Sequence, residues 1–239
     1  MKYIGLFLCA LILSCSSKQE DLTAEKIIEK SIQFHDVNNQ WKEANFTFHI
    51  QEPRVGNPKR FSVVTLNNKE NSFVLQRNRD EHISTHTINE KGEAFTTLNG
   101  KIITDSTLIK KYRLEPKRNA NYHRFYETLL GLPMSLATEE KEIKSAIKTT
   151  FNDKMVFKVE IELKEPLFSK NWNVYFSQEN YKIVGLEMVF PDNPEKGERL
   201  VFEDELKYKN IIIPRIRHWR ELNNEYSGSD IIVSKTDID

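Results

Sequence analysis

Cysteine is nearly absent: Cys9 and Cys15 are the two in 239 residues, and both fall within the first fifteen. Two thiols cannot build a disulfide framework, a four-cysteine zinc site or an iron–sulfur cluster. An excess of either charge is missing too, because 35 Lys+Arg stand against 35 Asp+Glu. Proteins that neutralise nucleic-acid phosphates need an electropositive footprint, so nucleic acid is not expected as a partner. The eight glycines never form G-x-G-x-x-G, a P-loop or G-x-S-x-G, and no H-E-x-x-H occurs. The expectation is a protein that is not an enzyme and has no cofactor or metal site. What is present is ordinary: 38% hydrophobic and 29% charged residues are enough for a real core and argue against extensive disorder.

Long apolar runs are also lacking. The one apolar stretch, Ile4 to Leu13, follows a single lysine and ends at a small residue. It spans roughly 15 Å at 1.5 Å per residue, too short for a bilayer core of about 30 Å, so residues 1–14 read as a secretory signal peptide. Ile12-Leu13-Ser14-Cys15 resembles a bacterial lipobox. In such a protein Cys15 becomes the first mature residue, diacylated on sulfur and acylated on nitrogen by palmitate-type chains. Cleavage also removes Cys9, which excludes thiol chemistry in the mature chain. Acyl chains contribute about 0.8 kcal/mol per buried methylene, so a lipidated Cys15 is a membrane anchor in itself. Ser16 in place of aspartate favours the outer membrane by resemblance to enterobacterial sorting. Ser17 to Asp21 resembles the surface-export tag of some Bacteroidota lipoproteins, and a merely polar tether explains it equally well, so the domain faces either the periplasm or the surface.

Beyond this tether of residues 15–21, Ala24, Ile27, Ile28 and Ile32 mark an amphipathic helix over 21–34, with Asp21 or Thr23 as cap. Period-two alternation begins at Ala44, Phe46, Phe48 and Ile50, and short strand-like runs follow at 60–66, 72–77, 81–88 and 93–98. Residues 105–142 interrupt them. Tyr122, Phe125, Tyr126, Leu129 and Leu130 form a helical stripe that Asn119 or Asn121 caps and Gly131 stops. Strands resume at 155–163, 171–177, 181–190, 199–209, 211–213, 215–222 and 229–234. These strands, with no linker or internal repeat between them, predict one α+β domain over 22–239, built on a large curved antiparallel sheet.

Few residues suggest chemistry. His82 and His86 on a strand lie about 13 Å apart, too far to share a metal, and read as solvated. Glu203 and Glu205 would sit about 7 Å apart on one strand face, within the range of a glycosidase pair, but a charged solvent face is the simpler reading. His218-Trp219-Arg220-Glu221 suggests either a sugar platform or, more simply, a strand with Trp219 in the core. Asp105-Ser106-Thr107 resembles an O-glycosylation acceptor, and Asn45-Phe46-Thr47 matches an N-glycosylation sequon by chance.

Several stretches together resemble an uncharacterised family of Bacteroidota lipoproteins. They are Ile27 to Ile32, His35-Asp36, Trp41, Leu129-Leu130-Gly131-Leu132-Pro133-Met134, Tyr208 and Ile213-Pro214 ahead of Trp219. That family looks like the superfamily of LolA/LolB-type lipoprotein carriers and receptors. The resemblance implies a half-open antiparallel barrel capped by two or three helices, holding acyl chains on a concave apolar face. The lipidated Cys15 is more like the anchored receptor than the soluble carrier. The receptor's protruding apolar loop and the carrier's cargo-triggering arginine find no match, so transfer of lipoproteins does not follow. The expected function is an outer-membrane lipoprotein, monomeric, binding a lipid or other amphiphile. A surface glycan-binding protein and a structural accessory of an envelope complex are the alternatives. The candidate cavity is lined by Phe46, Phe48, Val63, Phe73, Trp172, Leu186 and Met188 under the 122–130 helix, unless large aromatics fill that space.

Overall fold

The computed structural model describes residues 22–236. Cys15, the signal peptide and the tether lie outside them. Helix α1 (Ala24–His35) starts at Thr23, whose hydroxyl accepts from the Lys26 N–H, with Glu25 in the first turn. Five strands follow: β1 (Asn45–Glu52), β2 (Arg60–Asn67), β3 (Ser72–Arg79), β4 (His82–Ile88) and β5 (Ala94–Leu98). Helices α2 (Ser106–Tyr112) and α3 (Asn119–Leu130) interrupt the sheet. Seven more strands complete it: β6 (Lys141–Phe151), β7 (Lys154–Leu167), β8 (Ser169–Ser177), β9 (Ile183–Phe190), β10 (Asn193–Tyr208), β11 (Ile211–Glu221) and β12 (Tyr226–Thr236).

All twelve strands belong to one antiparallel sheet, ordered β5-β4-β3-β2-β1-β12-β11-β10-β9-β8-β7-β6. The first strand pairs with the last, with Ile50 opposite Ile232. The β5–β6 pair is the one sequence-adjacent pair that is not joined, so these strands form the two edges of an open sheet. The helical segment between them leaves one edge and returns at the other. Helices α1 and α3 cover the same inner face, over two apolar cores that meet at Ile32 and Phe125. The expected α+β half-open barrel is therefore observed.

Several details depart from expectation. Strand β6 falls where no strand was expected, because it is an edge strand whose residues before the buried Phe151 are exposed or half-exposed on both faces and show no clean alternation. Strand β11 runs unbroken through Pro214, opposite Glu205, where the expectation was two strands. Asp105 is a helix cap whose carboxylate accepts from the Thr107 and Leu108 N–H groups, which gives α2 its start. Neither Asn119 nor Asn121 caps α3, which begins at Arg118 without a side-chain cap. Gly131 ends α3 with a negative φ, and its lack of a side chain serves packing: a Cβ there would lie 2.4 Å from the Trp41 ring.

Histidine 35 ties α1 to the sheet. Its Nδ1–H donates to the Ile212 carbonyl at 2.8 Å, and its Nε2 accepts from the Ile183 N–H at 3.1 Å. Both ring nitrogens are used, which fixes the tautomer of a neutral imidazole. Burial lowers its pKa to about 4.

Candidate functional site

Inward positions along β1 are Phe46, Phe48, Ile50 and Glu52, and along β3 they are Phe73, Leu75 and Arg77. The inner face is therefore apolar in its middle and ionic at one end. Six of the seven expected cavity residues lie in the apolar part. Phe46, Phe48 and Phe73 belong to one core, Trp172, Leu186 and Met188 to the other, and each is at most 1% exposed. Val63 points the other way: β2 buries Ser62, Val64 and Leu66 on the inner face and leaves Val63 half-buried on the outer one. A shift of one position changes the face. Around these residues helices and aromatic rings fill the interior, with Trp41 and Phe46 stacked at 5.7 Å and Phe46 and Phe48 at 5.2 Å.

Open space lies instead at the ionic end, in two adjoining pockets of about 440 and 690 Å³ that share Arg54, Arg60, Phe125 and Phe168. Three distant elements supply the aromatic wall. Phe125 comes from α3, Phe168 from the tight turn between β7 and β8, and Trp219 from β11. The Phe125 and Phe168 rings meet edge to face at 5.5 Å, and Phe168 and Trp219 lie 5.8 Å apart. Phe168 is 53% exposed and holds a left-handed backbone at φ 60°. Trp219 is 7% exposed, and its indole N–H donates to Asp230 at 2.7 Å.

The opposite wall is a network around Glu52. Arg60 Nε donates to one carboxylate oxygen, and Arg77 Nη2 donates to the other at 3.2 Å. Tyr126 accepts from Arg77 and donates its O–H to Glu52 at 3.2 Å, while Arg77 Nε donates to Ser62 at 2.9 Å. Burial pushes the Glu52 carboxyl up, but Arg77 and Arg60 outweigh it and hold the pKa below the ordinary value. Burial likewise works against the Arg77 cation, and Tyr126 and Glu52 reverse it. Arg54 pairs with Asp230 at 2.5 Å. Arg124 donates to Glu139 at 2.9 Å and to the Glu165 carbonyl at 2.8 Å.

Elsewhere the polar residues are structural. His86, expected to be solvated, is 1% exposed and donates from Nδ1 to Asn119 at 2.9 Å, while Asn119 bridges the Thr87 and Phe95 carbonyls. Arg217 lies buried at the end of α3, bonded to the Leu129 and Leu130 carbonyls, where the helix leaves acceptors unpaired. Burial pushes it down to about 10. Glu203, Asp204 and Glu205 form a charged surface paired to His218, Arg215 and Lys182 respectively. Among the described residues no group of three or more His, Cys, Asp or Glu is placed to hold a metal ion. No helix among them is long and apolar enough to cross a membrane.

The open antiparallel half-barrel with its helical cap is a LolA-like fold, as the solved structures similar to it show. Over residues 2–219 the chain matches the family described as "Family of unknown function (DUF6503)", and it belongs to that family. Its structure is similar to a LolA superfamily protein from Nitrosomonas europaea, with TM-score 0.56 and 10% identity over 91% of this chain and 94% of that one. It is also similar to a putative outer membrane lipoprotein-sorting protein domain from Vibrio parahaemolyticus, with TM-score 0.55 and 12% identity over 90% and 93% of the two chains. No curated protein matches in sequence.

Proposed function

We propose that the protein is a cell-envelope lipoprotein that holds the acyl chain of an amphiphile in this groove, as a binding protein rather than an enzyme. The observation that carries the reading is the aromatic wall of Phe125, Phe168 and Trp219 beside open space at the mouth of a LolA-like half-barrel. At about 440 and 690 Å³ each pocket suits a ligand, for which about 300–1,000 Å³ is usual. A glycan platform is the weaker reading, because Trp219 is buried and offers no free stacking face.

Saturable binding of a fluorescent fatty acid to the soluble domain tests the reading. Phe168→Asp places a charge in the wall at a backbone conformation that aspartate tolerates, so folding is retained. The variant is expected to bind at least about tenfold more weakly, the loss that follows from some 1.4 kcal/mol. Unchanged binding would move the ligand elsewhere.

The same proposal places the mature chain on the outer membrane of a Bacteroidota-type envelope through a lipid on Cys15, with residues 22–239 folding as a single monomeric unit. Cys15→Ala is expected to leave the domain folded and to move it from the membrane to the soluble fraction. If the variant stays with membranes at high salt, the anchor is not this lipid.

A further inference from the structure

We propose that the groove binds the head group as well as the chain, and that Arg60 and Arg77, sharing Glu52, hold the carboxylate of a single-chain fatty acid. This inference rests on the acyl-binding reading above. Charge matching within the smaller of the two pockets, the one lined by Glu52, Arg60 and Arg77, supports it. Arg54 is matched by Asp230 and Arg124 by Glu139, so those two pairs are neutral. Arg60 and Arg77 share the one carboxylate of Glu52, which leaves one positive charge in this pocket, whereas Glu198, Glu221 and Glu225 line the larger pocket beside it.

The donors are also present. Arg60 uses Nε for Glu52, and its two terminal nitrogens bond to no described residue. Arg77 uses Nε and Nη2, and no described residue accepts from its Nη1. Arg60 sits directly across from Glu52 in the β1–β2 ladder and Arg77 across from Ser62 in the β2–β3 ladder, so the sheet itself fixes where the two cations stand. A guanidinium offers paired N–H groups that match the two oxygens of a carboxylate. The apolar wall raises the strength of that pairing by excluding water. A single excess charge matches a monoanion, whereas a phosphate dianion would leave the site negative.

The test compares dodecanoate, dodecanol, dodecyl phosphate and acetate as competitors of the fluorescent fatty acid. Dodecanoate is expected to bind at least about tenfold more tightly than dodecanol, with a preference that shrinks as salt rises. Acetate is expected not to compete, because it lacks the chain. Arg60 is partly exposed, and Arg60→Gln is expected to keep the fold by circular dichroism while bringing dodecanoate to within about threefold of dodecanol. Equal affinity of acid and alcohol for the wild-type protein would overturn the head-group site and leave acyl binding standing. Tighter binding of dodecyl phosphate would overturn the carboxylate assignment, and competition by acetate would make the site one for anions alone. Failure of every chain-bearing competitor would overturn the acyl-binding reading itself.

Discussion

Acidification from pH 6.5 to 4 is expected to remove about 3 kcal/mol of folding stability through His35 alone, since each pKa unit is worth about 1.4 kcal/mol. The folded-state pKa is depressed, so the unfolded chain binds the proton first. The contribution is complete above 6.5 and declines as pH falls through the folded value near 4. The cause is burial of the ring, and a proton on Nε2 would also face the Ile183 N–H from which this atom accepts. His86 and His123 are also depressed by burial and add to the same slope. Urea unfolding at several pH values, compared with His35→Ala, isolates the share of His35. The variant is expected to be about 2–5 kcal/mol less stable at pH 7, because it opens a cavity and leaves a buried N–H and a buried carbonyl unpaired. It is also expected to show a shallower acid slope. A variant with the wild-type slope would mean that His35 does not titrate in this window.

Loss of the Glu52 carboxylate is the second large effect. Glu52→Leu leaves Arg77, which is 7% exposed, without its buried counter-charge. Breaking one half of a buried pair costs about 3–5 kcal/mol. Glu52→Gln keeps an acceptor for Tyr126 and Arg60 and is expected to cost less. Glu52→Leu combined with Arg77→Leu is expected to recover part of the loss, since neither charge is then left alone. The depressed Glu52 pKa adds stability that is present above about 4.5 and fades as pH falls through the lower folded value, below most of the His35 window. Denaturant midpoints of the three variants measure this. A Glu52→Leu protein as stable as wild type would show that water screens Arg77.

How much of this was legible in the sequence depends on periodicity. The alternation of Phe46, Phe48 and Ile50 gave β1 its inner face, and the stripe from Tyr122 to Leu130 gave α3. Extending the first pattern by one step reaches Glu52, and extending Phe73 and Leu75 reaches Arg77, so the ionic network was within reach of the same signal. It was missed because a charge at the end of a strand ordinarily faces water. Val63 failed because Val63 and Val64 are adjacent and identical, and only pairing with β1 decides which one turns inward. The aromatic wall had no local signal. Phe125, Phe168 and Trp219 come together through a sheet that joins its first strand to its last and a cap that spans its edges. The large apolar residues expected to line a cavity pack against each other because α1 and α3 occupy the space above them.

Acyl binding at the mouth of the half-barrel is tested most directly by tryptophan quenching. Trp219 lies at the margin of one core and lines the groove, whereas Trp41 and Trp172 line neither of its pockets. A fatty acid carrying a nitroxide on its chain is expected to quench part of the emission saturably, and Trp219→Phe is expected to abolish that part. Quenching that fails to saturate, or that persists unchanged in Trp219→Phe, would contradict the assignment of the groove as the acyl site.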